Sequence, residues 1–121
     1  MEEAVRNALA NDRVVDTTTM GRKSGKPKRL EIWIHAVRDT YFIAGSPGTR
    51  DWYANLLVDP SITVHLKKSV TADLPGSARP ITDPAEKERL LRAAPGLTTY
   101  VNDANLADWV ARSPMVEASF G

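Results

Sequence analysis

Lys28 to Ala44 reads KRLEIWIHAVRDTYFIA, and its first ten residues alternate. Leu30, Ile32, Ile34 and Ala36 fall on one side, and Glu31, Trp33 and His35 on the other. A period of two over so many residues predicts a strand whose two faces are both used, running from Lys28 to Val37. Arg38-Asp39 makes a tight connection, and Thr40 to Ala44 is a third strand of a meander that begins with the β-branched run Arg13 to Thr19. Between the first two strands, Met20 to Pro27 carries Gly21, Gly25 and Pro27 and reads as a turn.

Outward from this meander the pattern is of short strands with short helices inserted. Glu2 to Leu9 has helical spacing, within an N-terminal segment 1–12. Asp51 to Val58 (DWYANLLV) spaces Trp52 from Leu56 and Tyr53 from Leu57, with Thr49 or Asp51 placed to cap it and Asp59-Pro60 to stop it. Ser61 to Leu66 alternates again, and Val70 to Ile81 reads as a strand interrupted at Pro75-Gly76. Asp83-Pro84-Ala85-Glu86 starts a helix that ends by Ala94, before Pro95-Gly96. The last segment, 98–121, predicts a helix over Asn102 to Arg112 and a closing strand from Met115 to Phe120. The expected fold is mainly β with short helices (α+β): a β-barrel in a single domain, 1–121.

Composition limits what such a domain does. Of 121 residues 42% are hydrophobic and 26% charged, which is the balance of a chain that buries a core. Absence of cysteine removes disulfides, thiolate metal sites and thiol nucleophiles. No apolar run reaches membrane-spanning length, and the acidic start Met1-Glu2-Glu3 lacks the order of a signal peptide, so a cytoplasmic protein is expected. The net charge is +1, yet five of nine residues from Gly21 to Arg29 are basic, and the rest of the chain holds 11 basic against 15 acidic residues. Positive charge gathered in one turn suits a local anionic partner, although a solvated hairpin tip has the same composition. One turn makes few phosphate contacts and no aromatic interleaves with it, so no nucleic-acid partner is expected.

The loop Ala44-Gly45-Ser46-Pro47-Gly48-Thr49 runs from a strand into a helix, where backbone amides and a helix N-terminus suit a phosphate or carboxylate. A strand-to-helix turn calls for glycine on local grounds too. Other chemistries fall away. His35 and His65 lie on separate strands without a carboxylate at ligand spacing, so no metal site is expected. Neither Ser24 nor Ser46 sits in a G-x-S-x-G elbow. GRKSGK lacks the first glycine of a phosphate loop, and Pro27 follows its lysine where a Ser or Thr is needed. Both histidines read as plain strand residues. Trp33, Trp52 and Tyr53 suit either the core or the wall of a site for a planar cofactor.

Thr17-Thr18-Thr19, Gly21-Arg-Lys-Ser-Gly-Lys-Pro-Lys, Ala44-Gly-Ser-Pro-Gly, Asp51-Trp-Tyr-Ala-Asn-Leu, Asp59-Pro60 and Ala78-Arg-Pro-Ile-Thr-Asp-Pro-Ala-Glu follow in one order. This succession resembles the deazaflavin-dependent nitroreductase family of the flavin-binding split β-barrel superfamily, over Thr17 to Leu90, with an echo at Thr99-Tyr100, Trp109 and Arg112. The resemblance implies a split barrel and an oxidoreductase passing hydride from reduced coenzyme F-420, an 8-hydroxy-5-deazaflavin, to a quinone-like, nitro or unsaturated small molecule. It places Arg22, Lys23 and Lys28 at the anionic tail, and Ala44, Gly45, Ser46, Trp52 and Asn55 beside phosphate and ring, with Trp33 as wall. Tyr100 matches a tyrosine that donates a proton, the catalytic assignment. A homodimer is the superfamily's habit. The superfamily also admits FMN, haem or another tetrapyrrole as the bound group, with or without catalysis. Two departures stand out: Glu31-Ile32-Trp33 replaces a proline–aliphatic–aromatic run, and Asp103 and Leu106 stand where further tyrosines occur. Glu31 shares Trp33's face and is expected either to be ion-paired in the barrel mouth, with Arg29 or a residue of a neighbouring strand as partner, or to stand as a surface carboxylate on an exposed strand face.

Overall fold

The structure, a computed structural model, describes residues 1–120. Seven strands form one antiparallel sheet: β1 (Val14–Met20), β2 (Pro27–Trp33), β3 (His35–Val37), β4 (Thr40–Ala44), β5 (Ser61–Leu66), β6 (Ala72–Pro80) and β7 (Met115–Phe120). Their order is β2-β1-β5-β6-β7-β4-β3. The two ends of that order, β2 and β3, are consecutive in the chain with only Ile34 between them. One residue bridges the two edges only if the sheet rolls round until they meet, so the sheet is a barrel closed by the chain at Ile34 and left unladdered at the seam. The Ile34 amide donates across to the Arg13 carbonyl at 2.9 Å and fixes the crossing.

This break corrects the expectation of one strand from Lys28 to Val37. Alternation holds as far as Trp33 and is lost at Ile34, because Ile34 and His35 are both buried. Their neighbouring positions fill different cores: Ile34 enters the barrel interior, and His35 lies against Phe42 outside it. The sequence shows a continuous period; the reset of facing becomes visible only once the barrel is closed.

Alternate residues along β4 and β7 serve the two cores. Ile43 and Val116 point into the barrel with Val15, Ile62, Val64, Leu66, Trp52 and Leu56. Phe42 and Met115 point outward under the helices, with Ile81, Leu90, Leu91, Leu97 and Trp109. The helices are α1 (Glu3–Asn11), α2 (Asp51–Val58), α3 (Pro84–Ala93) and α4 (Leu106–Arg112). Ala8 and Leu9 of α1 join the barrel core. Helix α3 starts as the sequence predicts: Asp83 accepts from the Glu86 amide and Pro84 takes the first turn. In α2 the expectation fails, since Arg50 holds the N-cap position and no side chain caps the helix. Before α4, residues 102–105 form turns rather than helix, because Asn102 Oδ1 accepts from the Ala104 and Asn105 amides.

Strand β6 runs unbroken through Pro75-Gly76, correcting the expected interruption. Among the described residues pairing with β7 begins at Gly76↔Phe120, and on its other side Pro75 stands opposite Thr63 of β5. A Cβ on Gly76 would stand 2.3 Å from the Ser119 carbonyl oxygen, so glycine lets the two backbones approach.

Candidate functional site

The basic turn folds on itself before it meets anything else. The Gly21 amide donates to the Lys26 carbonyl, the Gly25 amide to the Gly21 carbonyl, and Gly25 takes φ +69°. This left-handed position is one that glycine occupies without strain. Arg22 is then drawn inward: its backbone amide and Nη1 both donate to Asn55 Oδ1, at 3.1 and 2.9 Å, and Nη2 reaches Asp51 at 3.3 Å. Asn55 is buried on α2, and its Nδ2 donates to Thr19 Oγ1 at 3.3 Å. The Asn55 oxygen is thus taken up within the protein, and one thing the residue offers a ligand is a fixed Arg22.

Arg22, Lys23, Lys28, Trp52 and Asn55 come together along one groove of about 480 Å³ between the basic turn and α2. Lys23 and Lys28 are exposed and make no ion pair among the described residues, so both ammonium groups are available to a solute. Arg29 is not part of this set. It stands on the outer face of β2, where it donates to Asp16 at 3.1 Å.

Ala44, Ser46, Trp33 and Tyr100 are placed elsewhere. They line a second hollow of about 270 Å³ with His35, Leu97 and Trp109. Trp33 and Tyr100 meet edge to face, centroids 6.0 Å apart at 78°, and the Arg13 guanidinium lies 5.7 Å over the Trp33 ring. Both aromatics are partly exposed, at 37% and 50%. Asn105 Nδ2 donates to the Tyr100 carbonyl at 2.7 Å and holds that turn.

Gly45 lies between the two hollows. A Cβ there would meet Pro114 at 2.9 Å and Trp52 at 3.4 Å, so the absence of a side chain lets the loop press on the Trp52 edge. The loop amides do not all converge on an anion: those of Gly45 and Gly48 donate to the Pro114 and Arg112 carbonyls.

Glu31 is paired, but not with Arg29 and not in the barrel mouth. Its carboxylate meets the Lys67 ammonium, which also binds Asp16 at 2.8 Å, on the solvent side of the sheet. The groove takes the other side of β2, where Lys28 and Leu30 point. Lys67 lies just past the end of β5, a pairing that alternation within β2 does not reveal. Asp16's carboxyl is held below the usual carboxylate range, by Lys67 above all and also by Arg29.

Three features escape a reading of the sequence. His65 is a cross-strand bridge, with Nε2 2.7 Å from Thr18 Oγ1 and Nδ1 2.7 Å from Asp73. A third and larger cleft, about 910 Å³, opens between residues 48–54, α3 and α4. The buried Lys87 Nζ donates to the Ser113 carbonyl at its edge, and burial pushes that ammonium's pKa down. His35, finally, is buried beside Trp33 and Tyr100, and burial, with Arg13 adding, lowers its pKa to about 4. Among the described residues no group of acidic, histidine or cysteine side chains is arranged to hold a metal ion. Nor, among these residues, is any helix long and apolar enough to cross a membrane.

Comparison with known proteins follows the same lines. A family model, F420H(2)-dependent quinone reductase, matches residues 4–116. No curated protein gives a match. Among solved structures, a conserved hypothetical protein from Mycobacterium tuberculosis is similar at TM-score 0.78 and 17% identity, over 99% of this chain and 81% of that one. A NimC/NimA family protein from Clostridium acetobutylicum gives TM-score 0.71 at 14% identity, over 95% and 77%. An F420-H2 dependent reductase gives TM-score 0.65 at 23% identity, over 88% and 94%. At these identities the likeness is one of fold, and the fold is the split β-barrel.

Proposed function

Because the chain belongs to the F420H(2)-dependent quinone reductase family, an oxidoreductase family that uses coenzyme F-420, we propose that it reduces a quinone-like small molecule with that coenzyme bound along the basic groove. The observation that carries the placement is the pair Lys23 and Lys28, unpaired cations on the rim of a groove whose far wall is Trp52. The residues present suit the group. A polyanionic tail asks for exposed ammonium groups that are not already neutralised, and an uncharged ring asks for an apolar wall.

Bound coenzyme would supply a hydride. Lys23 and Lys28 would hold its anionic tail, and Arg22, locked by Asn55 and Asp51, would present a fixed guanidinium at the groove floor. Gly45 and Trp52 would set the depth of the site by their contact. Tyr100, half exposed beside Trp33, would give a proton to an acceptor lying in the second hollow. The chain's contribution is position, exclusion of water and a proton.

Titrating the purified protein with F-420 and with FMN, following coenzyme fluorescence, tests this reading. Tighter binding of F-420, with affinity that rises with glutamate tail length and falls with salt, is the expected result. Preference for FMN, or indifference to the tail, sinks it.

A further inference from the structure

His35 is 4% exposed, yet no described residue bonds to its imidazole. Among the described residues no sealed side-chain nitrogen or oxygen lacks a partner, so the ring nitrogens of His35 must open onto a hollow. His35 borders two, of about 60 and about 270 Å³, and only the larger has room for a planar ligand; His35 pairs with Phe42 across β3 and β4, and Phe42 shares its face with Ala44. That face looks toward the helices, where Ala44, His35, Trp33, Tyr100 and Trp109 surround the hollow of about 270 Å³. Phe42 supports the imidazole from behind, centroids 5.3 Å apart.

A donor on a buried ring, unbonded by any described residue and opening on a wall of three aromatic rings, is half of a recognition site. The rings suit a flat apolar body, and the single polar group suits one oxygen on that body. We propose that this hollow is the acceptor subsite and that His35 donates a hydrogen bond to a carbonyl oxygen of a planar, quinone-like acceptor. The inference deepens the function proposed above and rests on it only for the acceptor's chemical class. Reduction places negative charge on that oxygen, and a preorganised donor then strengthens its bond. Held neutral by burial and by Arg13, the imidazole keeps one N–H to give and acts as a positioning and polarising contact, while Tyr100 remains the proton source. A site built to bond an oxygen rejects a flat hydrocarbon that lacks one.

The test uses protein carrying ¹⁵N in its two histidines, His35 and His65, titrated with menadione, both free and saturated with oxidised F-420. Because no electron donor is present, only binding is read. A shift of the His35 ring nitrogens that saturates with menadione, with His65 unmoved and 2-methylnaphthalene producing none, supports the proposal. Unmoved His35 nitrogens under saturating menadione overturn it. In parallel, His35→Phe and His35→Gln are compared by quenching of tryptophan fluorescence. A tenfold or larger loss of menadione affinity in the Phe variant, partly restored by Gln, is expected. Equal menadione affinity in wild type and a folded Phe variant overturns the proposal. Failure of F-420 to bind, while His35 still answers menadione, would remove the coenzyme reading and leave the acceptor contact standing.

Discussion

Asn55 and Arg22 are bound to each other twice, through the amide and the guanidinium of Arg22 converging on one carbonyl oxygen. The pair ties the start of the basic turn to α2 across 33 residues of sequence. Asn55→Ala removes that acceptor and the donor to Thr19 together, leaving the Arg22 amide and the hydroxyl of buried Thr19 unmatched. A loss on the order of 2 kcal/mol is expected in chemical denaturation, together with weaker coenzyme binding. Asn55→Asp keeps the oxygen and the fixed Arg22, so it should restore most of the affinity. If Asn55→Ala binds F-420 as wild type does, Arg22 needs no fixing.

Charge reversal at Lys23 or Lys28 is expected to weaken F-420 more as its glutamate tail lengthens. Each exposed ion pair contributes roughly 0.5 kcal/mol, and added salt should erase the difference. Equal losses for tailed and tailless coenzyme would remove the tail from this turn.

Gly45→Ala inserts a methyl group 2.9 Å from Pro114, with Trp52 behind it. Either the loop or the indole must shift, at a cost of about 1–3 kcal/mol. Trp52→Ala, in the barrel core, should cost on the order of 3 kcal/mol. Thermal melting of the two variants and the double variant checks the contact: additive losses would mean that Gly45 does not report on Trp52.

His35 makes stability depend on pH on the acid side. Its folded pKa is about 4 against 6.5 for the free side chain. Between those values the unfolded chain binds the extra proton, so stability is fully present above pH 6.5 and falls as the pH drops toward 4. The loss amounts to at most roughly 3 kcal/mol. His35→Phe removes this titration, and the wild-type minus variant difference should therefore slope between pH 4.5 and 6.5 and flatten above. A difference that stays flat across that range would place the imidazole in water.

Much of the fold is written locally. Ser61 to Leu66 alternates and pairs on both sides, and Asp83-Pro84 announces α3 with a cap and a ring. Such signals need no knowledge of distant chain. Ile34 gives none, because its reset of facing follows from the sheet meeting itself. The same limit divides the site. Composition shows the basic turn, but Arg29 leaves it for Asp16, and Ala44 and Ser46 open on a different hollow from Trp52. His35 looks ordinary in sequence since burial of a strand residue depends on what packs above it, here a helix some 70 residues further on.

The seam at Ile34 leaves two open strand edges on the molecule, each an invitation to another chain. The edge at β3 is three residues long, too short to template a partner. The edge at β2 opens with Pro27, Lys28 and Arg29, a ring without an amide proton and two charges that repel a second copy. Lys28 therefore guards solubility as well as facing the groove. Replacing it by an apolar residue would mix lost affinity with self-association.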